Sequence, residues 1–289
     1  LLGKESWPNN QLERAGILIF MRLLPALLVL FSVFALTLAI PWVVFAQIAT
    51  PSIGSPKPLL SETDTQIQQL REKYRVQLTT YREDERNFNL AKQQYAQLNT
   101  LAALEEAVRK TKIVLLSRNE VLETHLLFLK LNVQKTPGID LQTKDNYIKL
   151  LDAYLEALKK NQRTLETADD RRELSEVTLE FSTFASSIQS FSSNLAALIQ
   201  YGHIQSVYDK TATIHKEVEE AIEQEPNALK LGEKRRAMEE INALVQLTNS
   251  QLQVIREGYR GGQNPGSAGL NQIYGNISQT LVYLKEVLK

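Results

Sequence analysis

Residues 171–198 read RRELSEVTLEFSTFASSIQSFSSNLAAL. Within them Leu174, Val177, Phe181, Phe184, Ile188, Phe191, Leu195 and Leu198 alternate three and four residues apart without a miss. Only an α-helix with one buried face accounts for eight such matches in succession, because a strand repeats every second residue and a loop repeats at no fixed spacing. These eight positions define the expected core seam. Ser and Ala between the Phe residues are small enough to let neighbouring helices approach.

The same periodicity extends in both directions. Upstream, Leu101, Val108, Leu115, Leu122 and Leu129 recur at seven, flanked by Val114, Val121 and Phe128. A face that wide belongs inside a bundle. Thr136-Pro137-Gly138 reads as a turn, with Asp140 as the cap of a helix carrying Leu141, Ile148, Leu151, Leu155, Leu158 and Leu165. Asp169-Asp170 marks the next connection. Downstream, Gly202 falls where an apolar residue is due, which predicts a kink or break at Tyr201-Gly202. Beyond it run Ile204, Val207, Ile214, Val218 and Ile222 as far as Pro226, then Leu231, Met238, Val245, Leu252 and Tyr259 at intervals of seven. Gly258 to Gly269 is a Gly-rich connection, followed by Leu270, Tyr274, Ile277, Leu281, Leu284 and Leu288. No strand pattern interrupts these helices.

Ahead of the wide face lies a narrower one. Ile67, Tyr74, Tyr81, Phe88, Tyr95 and Ala102 recur at seven, and Gln77 and Asp84 occupy intermediate positions. Seven-residue recurrence is the mark of a coiled-coil seam, here partly wet. Ser61 with Asp64 starts this helix, and Asn99-Thr100 is the expected joint before the next.

The N-terminal part differs in kind. Leu23 to Ala46, LLPALLVLFSVFALTLAIPWVVFA, has no charge and follows Met21-Arg22. Its length suffices to span a bilayer, and its basic start, apolar middle and small-residue exit match an export signal. Cleavage is expected between Ala46 and Gln47; an uncleaved segment would anchor the protein in the membrane through residues 23–46. The expected organisation is therefore 1–20, a non-native upstream extension or short cytoplasmic tail; 21–46, signal peptide or anchor; 47–60, a linker holding Pro51, Pro56 and Pro58; and 61–289, a helical bundle. Within the bundle, 61–98 forms a coiled-coil arm that extends outward or pairs with the C-terminal helices, 101–225 the main bundle, and 227–289 the C-terminal helices. The fold class is all-α, an elongated antiparallel bundle with coiled-coil segments.

Chemistry is sparse by comparison. The chain has 33 basic and 33 acidic side chains and no cysteine. Near-neutral charge supplies no counterion-release drive toward nucleic acid, and the lack of thiols removes disulfides, thiolate metal sites and thiol nucleophiles. His125, His203 and His215 belong to no HExxH pair, and the positions three before them are Leu122, Gln200 and Ala212, so the Glu-x-x-His motif of di-iron bundles is missing. His215 and Glu219 share a helix face but read as solvated surface. The serines of 181–194 sit in no G-x-S-x-G elbow, and the loop at 258–269 lacks the Lys of a phosphate loop. No catalytic, cofactor-binding or metal-binding residue is assigned, and no cofactor is expected. The functional expectation is an exported, non-catalytic scaffold or interaction protein of the cell envelope, outside the cytoplasm, with a protein partner or self-association. An extracytoplasmic small-ligand or sensor domain comes second. A helical pore-former comes third, suggested by the absence of charge from 181–208 and opposed by its many serines and amides.

Overall fold

The computed structural model describes residues 61–289, apart from 225, 227, 264, 266–268 and 289. The export segment, with Ala46 and Gln47, and the linker at 47–60 lie outside the described residues. Six helices follow one another, and there is no strand among the described residues: α1 Glu62–Leu98, α2 Leu101–Lys135, α3 Leu141–Thr167, α4 Arg171–Glu223, α5 Ala228–Arg260 and α6 Leu270–Val287. All belong to one compact unit, Leu59–Lys289.

Helix boundaries follow from local chemistry. The side chains of Ser61, Thr100, Asp140 and Asp170 each accept a hydrogen bond from the backbone N–H three residues on, satisfying a donor that the first turn leaves unpaired. Between α1 and α2 only Asn99 and Thr100 intervene. Asn99 adopts the left-handed conformation (φ 47°, ψ 38°) that Asn tolerates better than most residues, and this reverses the chain.

That reversal decides where α1 goes. It lies back along α2, with Asp64 bonded to Lys135, Tyr74 beside His125, and Tyr81 within the field of Arg118. The 61–98 segment thus neither projects nor pairs with the C-terminal helices. A two-residue joint cannot carry the chain that far, whereas α2 offers a partner of nearly equal length, 35 residues against 37.

Each later pair is antiparallel too, as cross-helix contacts establish. Lys130–Asp152 and Asn119–Asn161 tie α2 to α3; Lys160–Glu180 and Tyr147–Phe191 tie α3 to α4. Glu223–Arg235 and Tyr201–Arg256 tie α4 to α5, and Gln251–Asn276 ties α5 to α6. Consequently α2, α4 and α6 run in one direction and α1, α3 and α5 in the other.

Helix α4 is the shared element. Its N-terminal half closes a core with α2 and α3, formed by Val114, Leu115, Leu165, Ala168, Leu174 and Val177, against which Tyr81 and Phe88 of α1 pack. Its C-terminal half closes a second core with α5 and α6, formed by Val218, Ile222, Met238, Ile241 and Leu284. Of the seam residues, Leu174, Val177, Phe181, Ile188, Phe191, Leu195 and Leu198 are buried. Phe184 is only half-buried, its ring edge-on to Phe181 at 4.9 Å, while the smaller Ala185 occupies the inner slot. Leu101 and Leu141, each the first residue of its helix, are exposed and add nothing to the core.

The chain does not break at Tyr201-Gly202. Helix α4 continues unbroken for 53 residues, about 80 Å at the usual rise. Gly202 serves instead as a docking point for the α2–α3 turn. A Cβ on Gly202 would lie 2.5 Å from both Thr136 Cγ2 and Ile139 Cγ1, and one on Gly138 (φ +75°) would overlap the Gly202 carbonyl oxygen. Two glycines facing each other allow backbone-to-backbone approach. Gly202→Val should therefore cost about 3 kcal/mol or more, since the turn must be pushed off α4. Gly232→Ala, in α5 with open space around the added methyl, should stabilise by roughly 0.5–1 kcal/mol through helix propensity. Urea denaturation of both variants checks the contrast.

Candidate functional site

Two buried polar centres interrupt the apolar core. The first lies where α1, α2, α3 and α4 meet. Asn119 Nδ2 donates to Asn161 Oδ1 at 2.8 Å, and Asn161 Nδ2 donates to the Val177 carbonyl at 3.3 Å, so one amide chain links three helices. Next to it Arg118, only 7 % exposed, lays its guanidinium 3.3 Å from the centre of the Phe181 ring. Its NH2 group makes a long bond to Asn119 Oδ1 (3.4 Å), and its Nε is buried without a partner. No carboxylate pairs with it among the described residues. Burial pushes its pKa down to about 9, with the nearby Tyr81 opposing the shift, which leaves the group cationic at neutral pH. Burial, reinforced by Glu85, also raises the Tyr81 phenol well above its ordinary value. The ring quadrupole of Phe181 is the main compensation for this desolvated charge.

The second centre surrounds the Gly138–Gly202 contact. Tyr147 stacks on Phe191 at 6.0 Å and meets Tyr259 edge-on at 6.4 Å, while Tyr201 lies 5.6 Å from Tyr259. Arg256 Nε donates to the Tyr201 hydroxyl, which donates to Gln205 Oε1; Gln205 Nε2 donates to Asp209. Arg260 reaches Asp140 at 3.3 Å, joining the end of α5 to the cap of α3. The Tyr259 hydroxyl is buried without a partner, and burial together with Tyr147 and Tyr201 raises its pKa. Phenols held this high do not serve as bases at neutral pH. The first centre is held by hydrogen bonds and a cation–ring contact, the second by hydrogen bonds, an ion pair and ring packing.

The residues weighed from sequence for chemistry are scattered. His125 packs against Tyr74 on the α1–α2 face, 5.6 Å between centroids. His203 is exposed on α4, and its pKa is lowered by partial burial and by Lys135. His215 is half-buried with Nε2 unpartnered, and Glu219 is exposed one turn on. Among the described residues no three His, Asp or Glu side chains gather in a metal-binding arrangement. The serines of 181–194 lie along α4, where Ser182 and Ser193 donate to carbonyls of their own helix. Sequence reading missed Arg118, Asn119 and Asn161. A charged residue between apolar heptad positions, as Arg118 is between Leu115 and Leu122, was the available signal.

Fold and sites together define an all-α helical-bundle protein with buried polar centres. No protein-family model, curated protein or solved structure matches the chain.

Two outcomes follow for this face. Asn161→Leu should destabilise by about 1–3 kcal/mol because the buried Asn119 Nδ2 loses its acceptor, and the Asn119→Leu/Asn161→Leu double variant should recover part of that loss; a denaturant double-mutant cycle measures it. His125, pushed down to about 4 by desolvation, is harder to protonate folded than unfolded. Its contribution is complete above the unfolded value near 6.5 and is lost as pH falls from there toward 4. His125→Leu should thus flatten the fall in urea midpoint between pH 6.5 and 4.5.

Proposed function

We propose that this chain is an exported, non-catalytic helical scaffold or interaction protein of the cell envelope, in which residues 61–98 pair with α2 as an antiparallel coiled coil. The observation that carries the interaction role is apolar surface left at core-type spacing. Val207 and Ile214 on α4, and Tyr274 and Leu281 on α6 with Leu288 just past its end, continue the heptads of their helices yet are exposed. Residues 21–46 support the export step on sequence grounds. No helix among the described residues is long and apolar enough to cross a membrane, so an uncleaved anchor would fall to residues 23–46.

One observation favours the sensor reading as an alternative. Arg118 is a desolvated cation with an unsatisfied Nε, and a small carboxylate or phosphate reaching it would supply the missing counter-charge.

A single set of measurements separates the two. With the full chain expressed in a bacterial host, protease added outside spheroplasts should digest the helical part, and thermal unfolding should not respond to acetate, succinate or phosphate. Intact chain in the cytosol would overturn the export step. An anion-dependent rise in Tm that Arg118→Met abolishes would replace the scaffold reading with the sensor.

A further inference from the structure

We propose that the groove between α4 and α6 is a self-association surface, which a second copy of this chain occupies in antiparallel, two-fold symmetric fashion. The inference goes beyond the scaffold reading and holds whether or not the chain is exported.

The register of the two parallel helices sets the groove. On α4 the buried row is Ile204, Thr211 and Val218; on α6 it is Leu270, Ile277 and Leu284. Leu284 and Val218 share one core cluster, so the two rows run level, seven residues at a time. Three residues past each α4 row position, and four past each α6 position, stand Val207 and Ile214 facing Tyr274 and Leu281. In parallel helices these two flanks border the same groove. Their exposures are 37 % and 41 % on α4, and 49 % and 37 % on α6. An apolar row in register on both walls of one groove is what a further pair of helices requires.

Charge selects the occupant. Beside this strip on α4 stand Lys210 and Glu217, both exposed, seven apart, and without an ion-pair partner among the described residues. The matching α6 row is Asn271, Ser278 and the exposed Lys285, which places one cation at its C-terminal end, below the level of Lys210 and Glu217 on α4. A two-fold axis crossing α4 next to Ile214 sets Lys210 of each copy opposite Glu217 of the other, making two reciprocal pairs, whereas parallel pairing would confront Lys with Lys. At this α4 pair the strip is thus complementary to itself when antiparallel and not when parallel.

The native chain has no cysteine, so single cysteines report pairing without background. In the full chain under mild oxidation, Ile214→Cys should form disulfide-linked dimers. Copies carrying Lys210→Cys and Glu217→Cys, coexpressed, should cross-link to each other, and neither to itself. Lys210→Glu or Glu217→Lys should each lower the Ile214→Cys cross-linked fraction roughly tenfold, and the double exchange should restore it. Ile214→Asp, introduced with Thr213→Cys, should remove dimers and leave a cooperatively folded monomer, because the side chain is outside the core. Dimers through Lys210→Cys alone, no dimers in any folded variant, or failure of the double exchange to rescue would each overturn the proposal. The last two outcomes cover a groove filled by another part of the chain or by a different protein.

Discussion

The helical bundle hangs on the continuity of the buried row along α4. From Leu174 to Ile222 its inner face meets two separate sets of partners, α2 with α3 and then α5 with α6. A helix that long gains little from its own hydrogen bonds, and most of its stability comes from the apolar face that neighbours cover. Were the row interrupted, a four-helix cluster (α1, α2, α3 and the start of α4) and a three-helix cluster (the end of α4, α5 and α6) would be joined only by side contacts such as Tyr147–Tyr259 and Asp140–Arg260. The glycine pair at 138 and 202 prevents the interruption where it is most expected, by letting a turn seat itself against the helix backbone.

Within that frame the buried polar groups set register. An apolar seam tolerates a slide of one heptad at modest cost, because Leu replaces Leu. Asn119, Asn161 and the Val177 carbonyl have no such freedom, since any slide separates donor from acceptor in a low-dielectric setting. The Arg256–Tyr201 bond acts similarly at the α4–α5 contact, and Gln205 and Asp209 extend it along α4. Buried threonines such as Thr211, Thr248 and Thr280 satisfy themselves on carbonyls one turn back and leave the packing free. Arg118 is the exception, because Phe181 compensates its charge without saturating its donors.

Much of the architecture was readable from residue order. The seam of 174–198, the caps at Ser61, Asp140 and Asp170, and the joint at Asn99-Thr100 all have local causes, namely side-chain spacing and the hydrogen-bonding reach of a cap. The errors were equally physical. Gly202 looks like a helix breaker when only propensity is considered, and in α4 propensity yields to packing on both sides. Phe184 fits the alternation but Ala185 fits the space. Tyr147, off the expected stripe of α3, is buried because Phe191 and Tyr259 stack around it.

What the amino-acid order determined by itself is the helical character of each segment and most of its ends, Tyr201-Gly202 excepted, since period, caps and turn residues act within a few positions of each other. What the tertiary structure alone decided is which helix lies against which, and so which members of each apolar stripe go inside. Stripe width exceeds what one neighbour can cover, and only the packing of α5 and α6 onto α4 leaves Val207, Ile214, Tyr274 and Leu281 facing water. The same holds for Arg118, whose burial arises from four helices converging and from nothing adjacent to it in the chain.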